Sequence, residues 1–195
     1  MLAAAEGCSP FIVLQAALAA FIATETAQRD VIIGFPNAAR DDGADEVRIG
    51  CHVRSLIVRV AVDEETTFRE LVARTRRAVL GALRYQHVPS DDLASIGITW
   101  EAVDIPVELG LQRVTPCAQR EELDTDLWFY VDPAERDALA VHLVYDAALF
   151  KRTTAAALLE GYLALVRAAV AAPETVPHRG RTNERATGRT PHYRF

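Results

Sequence analysis

A layered α/β or α+β domain is the fold class this sequence predicts. Helices and strand-like runs alternate along the chain, one long connection interrupts the alternation, and half of the 195 residues are hydrophobic. That length and apolar content suffice for one ordinary domain with its own core and exclude a disordered chain.

The elements follow in order. Ser9-Pro10 opens the first helix, because Ser accepts well at an N-cap and Pro fits the first helical position. Phe11, Leu14, Leu18, Phe21 and Ile22 then recur at helical spacing. Residues 10–23 hold one polar side chain, Gln15, and at 14 residues the run is short for a membrane span and suits a helix buried on most sides. DVIIGF, residues 30–35, reads as a buried strand, and NAARDDGADE, residues 37–46, as a polar loop. Residues 49–62 are β-rich, with Val53, Ile57, Val58 and Val60. Thr67-x-x-Glu70 is a capping box ahead of a second helix, whose apolar stripe is Phe68, Leu71, Val72, Val79 and Leu83. Arg69, Arg74, Arg76, Arg77 and Arg84 occupy its other faces; such a cluster can bind phosphate, but the amphipathic pattern favours a solvated side. After His87-Val88-Pro89 the pattern predicts a helical turn over 90–95, then strand-like pieces at 105–114, 126–131 and 138–145. Leu158, Leu159, Tyr162, Leu163, Val166 and Val170 mark a last helix over 153–172.

Charge is unevenly placed. Lys plus Arg is 21 and Asp plus Glu is 27, a net −6 that argues against a nucleic-acid binder. Residues 178–195 hold five arginines and one acid, a net +4, which leaves −10 on residues 1–177. With few aliphatics, 178–195 reads as a basic flexible tail, either a solvated end or a docking segment, and 1–177 as the domain. Cys8, Cys51 and Cys117 are far apart and odd in number, which suits small buried thiols in a reducing compartment rather than disulfides. The start lacks the basic region of a secretory signal, so the expected location is cytoplasmic, with no membrane segment.

There is no phosphate-binding loop, no glycine-rich dinucleotide fingerprint and no Gly-x-Ser-x-Gly elbow. The histidines at 52, 87, 142, 178 and 192 lack metal-ligand spacing, so no metal is expected. One spacing bears on catalysis. His142 precedes Asp146 by four residues, as in the His-x-x-x-Asp-Gly of acyltransferases that use a histidine base, but Ala147 stands at the Gly position. His142 also alternates within AVHLV, the pattern of an ordinary strand residue.

The order of these motifs resembles the C-terminal lobe of a nonribosomal peptide synthetase condensation domain, of the chloramphenicol-acetyltransferase-like superfamily. The opening helix, strand and loop, with Gly34, Pro36 and Arg40, resemble that lobe's first elements. IGCHVRSLIVRV resembles its Ile-Gly-x-Phe-Val-Asn-Thr-Leu segment, and QHVPSDDL its Gln-Asp-x-Pro-Phe-Glu box. LVYDAALF and the following helix are similar to its closing strand and helix, so that the likeness spans about residues 9–174. The departures are Cys51 for an aromatic, Arg54 for Asn, Ser90 for Phe and Lys151 for Asp. The family's His-His-x-x-x-Asp-Gly motif belongs to the N-terminal lobe and is absent here.

The resemblance implies a two-layer α/β sandwich lobe, half of a condensation domain. It would form one wall of the carrier-protein substrate channel for amide-bond formation, with Gly34, Pro36, Arg40, His52, Arg54 and Ser55 facing that channel. It implies no directly bound cofactor, the phosphopantetheine arms of carrier proteins as substrate carriers, and an N-terminal condensation lobe or second chain, or self-association, as partners. Two other readings stand beside it: a non-catalytic module that binds carrier proteins or recruits an enzyme, and a free-standing acyltransferase using His142.

Overall fold

Ser9 caps a helix as its sequence demands, its side chain accepting from Ile12 N at 3.4 Å with Pro10 in the first turn. In the computed structural model, which describes residues 2–39, 49–88, 94–101, 108–109, 112–113, 125–133 and 138–177, this is α2 (Pro10–Thr26), preceded by a single turn, α1 (Leu2–Ala5). Twelve consecutive residues of α2, 12–23, are buried, Gln15 among them, so the helix is covered on all sides rather than amphipathic. Ala27, in left-handed geometry at φ 59, ends it.

β1 (Asp30–Asn37) and β2 (Arg54–Ala61) form an antiparallel pair, with Gly34 opposite Ile57 and Asn37 opposite Arg54. Then α3 (Phe68–Arg84) begins at the predicted capping box: Thr67 Oγ1 accepts from Glu70 N, and the Glu70 carboxylate accepts from Thr67 N at 3.0 Å. Its next free donors, Phe68 N and Arg69 N, are taken by the Thr175 and Pro173 carbonyls, so the segment after the last helix completes the cap. Arg69 joins Glu174 and Glu6 at the same end.

β3 (Ile96–Trp100), β6 (Leu127–Pro133) and β7 (Leu139–Tyr145) complete a sheet of order β2-β1-β3-β6-β7, while β4 (Glu108–Leu109) and β5 (Gln112–Arg113) form a small separate hairpin. The three central strands β1, β3 and β6 are parallel, and the edges β2 and β7 antiparallel. α4 (Arg152–Ala171) closes the described fold.

One core unites the helices with one sheet face. Val31, Ile33, Phe35, Leu56, Val58, Val60, Ile96, Ile98, Leu127, Phe129 and Val131 alternate inward against Leu18, Phe21, Phe68, Leu71 and Tyr162. Tyr162 is wholly buried, stacks edge-on to Phe129 and Phe21, and donates its hydroxyl to Leu14 O at 3.1 Å. Burial pushes that hydroxyl far above the usual tyrosine range.

Four expectations need adjustment. The helical turn over 90–95 is only partly within the described residues, and its end, Ala94 and Ser95, is not helical but leads into β3, a strand that the sequence pattern does not predict. Residues 105–114 are not one strand where described but two-residue arms of the β4–β5 hairpin. Cys51 is exposed rather than buried. Cys8 is half-buried; burial raises its thiol pKa, with Arg76 opposing. Cys117 and residues 178–195 lie outside the described residues.

Candidate functional site

Strand alternation sorts the channel residues that the resemblance implies onto two sides of the sheet. Gly34, Pro36 and Ser55 share the face turned away from the helices, because their neighbours Phe35 and Leu56 point into the core. Arg54, one residue earlier on β2, falls on the helix side. Its Nη1 donates to Gln86 O at 2.9 Å, just past the end of α3, where a cation meets carbonyls left unpaired by the helix. Asn37, directly opposite on β1, donates Nδ2 to Gln86 Oε1. Gln86 thus ties the β1–β2 end to the α3 end, and Arg54 has no ion-pair partner among the described residues. His52 is half-buried beside Gly50. Arg40 lies outside the described residues.

Next to Gly34 the sheet face is built around glycine. Gly34 pairs with Gly97 on β3, and the Trp128 indole from β6 covers both. Trp128 Nε1 donates to Thr99 Oγ1 at 2.6 Å. Further along the same face, Tyr130 and His142 stack in parallel with ring centroids 5.0 Å apart. His142 Nδ1 lies 3.2 Å from Asp132 Oδ2, and its side chain is 56% exposed. Asp146, which the His-x-x-x-Asp spacing pairs with His142, does something else: its Oδ1 accepts from Ala148 N at 2.7 Å and shapes the turn after β7. The Asp132 carboxylate thus lies beside the His142 imidazole on an open surface, and the two are brought together by the β6–β7 pairing. No His/Cys/Asp/Glu cluster fit for a metal ion occurs among the described residues.

Trp128, Tyr130 and Asp132 are not singled out by the sequence motifs, and Gln86 enters them only as the first residue of QHVPSDDL, with no role attached. The alternation Trp128-x-Tyr130-x-Asp132 is the available signal for three of them, since it sets polar-tipped side chains on one strand face.

The decisive comparison is with protein families: the sequence matches the condensation-domain family over residues 1–180. The chain belongs to the condensation-domain family. This condensation-family chain is 31% identical to malpinin synthetase of Mortierella alpina over 170 residues, covering 76% of its own length and 2% of that relative. It is 27% identical to tyrocidine synthase 3 of Brevibacillus parabrevis over 192 residues, covering 89% of itself and 3% of that relative. Among solved structures, the first condensation domain of the CDA synthetase superposes with a TM-score of 0.75 at 18% identity, covering 91% of this chain and 43% of that one. The X-domain from teicoplanin biosynthesis superposes with a TM-score of 0.81 at 24% identity, over 90% of this chain and 44% of that one. The fold is therefore the chloramphenicol-acetyltransferase-like fold of condensation domains. The chain spans less than half of these two solved chains and a few per cent of the two synthetases.

Proposed function

We propose that the chain is the C-terminal lobe of a condensation domain in nonribosomal peptide synthesis, working in amide-bond formation with an N-terminal lobe that supplies the catalytic histidine. In that reaction an acceptor amine attacks a carrier-bound thioester carbonyl. A C–N bond forms, the C–S bond breaks, and the amine proton passes through the base to the departing thiol. One observation carries the reading: the family match runs over residues 1–180, while the chain covers only 43% of a solved condensation domain. Gly34, Pro36 and Ser55 on the open face of the β1–β2 pair would form one wall of the channel, with His52, Arg54 and Arg40 contributing from its end. The phosphopantetheine arms of carrier proteins would bring both substrates. The test is a single-turnover assay with loaded carrier proteins, with and without an N-terminal lobe. Product only with the lobe supports the reading; robust product from this chain alone overturns it and favours the acyltransferase based on His142, with loss of product in His142→Ala as the check.

A recruitment module is the second reading. It is favoured by the likeness to the X-domain from teicoplanin biosynthesis in its complex with OxyB, at a TM-score of 0.80 and 25% identity. Stable capture of a partner enzyme with no turnover in the presence of an N-terminal lobe would select it.

A further inference from the structure

The two edges of the sheet are covered to different extents. On β2 the core-facing Leu56, Val58 and Val60 are buried, because α3 lies over that edge. On β7 the core-facing Val141, Leu143 and Tyr145 pack against the core yet stay half-exposed. α4, the helix at that end, buries only Ala155, Tyr162 and Ala169. Its Gly161, Ala164, Leu165 and Ala168 line a groove with Phe21 and Thr24 of α2. Ala156, Leu159, Leu163, Val166 and Val170 recur at i, i+3, i+7, i+10 and i+14 on the flank turned away from α2. Leu159, Leu163 and Val166 are half-exposed there, and Val170 is 42% exposed.

Beside this flank runs an open strand edge. Asp146 N donates to Asp126 O, one step beyond the β6–β7 ladder and in the same register. Hydrogen bonding alternates along an antiparallel pair, so the even-numbered residues of β7 bond to β6. The N–H and C=O groups of Leu139, Val141, Leu143 and Tyr145 then point outward, where no described strand takes them up, β7 being last in the sheet. LAVHLVY contains no Lys, Arg, Asp, Glu or Pro, the residues that ordinarily block an open edge. Leu139 at its start and Leu149 in the turn after it are exposed.

Charge selects the occupant. After Arg152, α4 carries one acid and one base, Glu160 and Arg167, both exposed and without an ion-pair partner among the described residues. They are seven residues apart, so they lie at nearly the same angle around the helix, beside the apolar flank. A two-fold axis crossing α4 near residues 163–164 brings Glu160 of each copy to Arg167 of the other, with Leu159, Leu163 and Val166 between them. The same operation sets two β7 edges antiparallel, the arrangement in which their outward N–H and C=O groups pair. A uniformly acidic or basic partner would satisfy one of the two charges and oppose the other. We infer that β7 and the outer flank of α4 form a two-fold interface with a second copy of this chain, continuing the sheet across both molecules and pairing Glu160 with Arg167. The surface lies at the opposite end of the sheet from β2, and the inference does not depend on the condensation reading.

The test is sedimentation equilibrium of the full chain over a concentration series, joined to residue-resolved amide hydrogen exchange. A monomer–dimer equilibrium is expected, with the Val141 and Leu143 amides exchanging more slowly as dimer forms. Glu160→Arg and Arg167→Glu should each weaken the dimer about tenfold or more, because each sets like charges together at two symmetric points. The double variant Glu160→Arg/Arg167→Glu should restore the affinity, and Arg77→Glu, at an exposed position on α3, should leave it unchanged. Circular dichroism melts confirm that each variant is folded. A monomer at every concentration overturns the inference. So does a dimer that the single variants do not weaken, that the double variant does not restore, or that leaves the β7 amides unprotected. An N-terminal condensation lobe that protects the same amides in a one-to-one complex, with no dimer of the chain alone, also overturns it and assigns the surface to the other half of a condensation domain.

Discussion

The Trp128 indole covers Gly97 of the neighbouring strand so closely that a Cβ built on Gly97 would lie 2.3 Å from its Cζ3 and 2.5 Å from two further ring carbons. Here glycine is required by close approach, not by a left-handed backbone. Because Nε1 is fixed on Thr99 Oγ1, the ring cannot slide away without losing that bond. Gly97→Ala is therefore expected to cost about 1–3 kcal/mol, as overpacking does, and to change Trp128 fluorescence. Gly34→Ala, whose Cβ would meet Ala94 Cβ at 3.1 Å and the indole at 3.4 Å, should cost less. Thermal melts of both variants check the order; equal melting temperatures would remove the indole from the account.

Lys151 is the N-cap of α4 by backbone geometry, φ −75 and ψ 148, yet its side chain makes no capping bond. A cation there also opposes the positive end of the helix dipole. Lys151→Asp, the residue usual at this place in the family that the sequence resembles, is expected to stabilise the protein by about 1 kcal/mol. Urea unfolding measures it, and no gain would show that the first turn of α4 is already satisfied another way.

Thr67 anchors the opposite kind of cap, one already complete. Its backbone and side-chain hydrogen bonds hold the Glu70 carboxyl below its usual range. A carboxyl whose pKa is lower folded than unfolded contributes stability that is present above the unfolded pKa and lost as pH falls through the folded one. Thr67→Ala should therefore destabilise α3 by about 1 kcal/mol at neutral pH, with the difference from the parent shrinking as pH drops below the ordinary glutamate range. Stability measured at neutral and acidic pH provides the test, and a constant difference at both would exclude Glu70 from the effect.

The sequence is legible where a local rule acts alone. Ser9-Pro10, the Thr67–Glu70 box and the apolar stripes of α3 and α4 each announce a helix through neighbours three or four residues apart. β3 is not legible. IGITW is only five residues long, and its Gly97 reads as a breaker. What makes it a strand is Trp128, a distant residue on β6 that fills the space a side chain would have taken. The site divides the same way. Alternation places Gly34, Pro36 and Ser55 on one face, but spacing does not find the partner of His142. Asp132 reaches it across the β6–β7 register, while Asp146 is drawn into its own turn.

Gln15 tests the least expected feature of the core. It is fully buried in α2, and neither its Nε2 nor its Oε1 meets a hydrogen-bond partner; Thr75 Oγ1 on α3 is in the same state. Burying an amide without a partner costs about 1–3 kcal/mol, so this helix carries a penalty that its apolar neighbours offset. Gln15→Met keeps nearly the same length and flexibility and removes both polar atoms. It is therefore expected to stabilise the protein by about 1 kcal/mol or more, and Thr75→Val to act in the same direction. Chemical denaturation of the two single variants and the double variant measures this. Additive gains would mean two independent orphans, and a non-additive pair would mean that the two sites share a partner or a space. If Gln15→Met is instead destabilising, the amide is satisfied in solution by a buried water, and the core of this domain is wetter than its side chains imply.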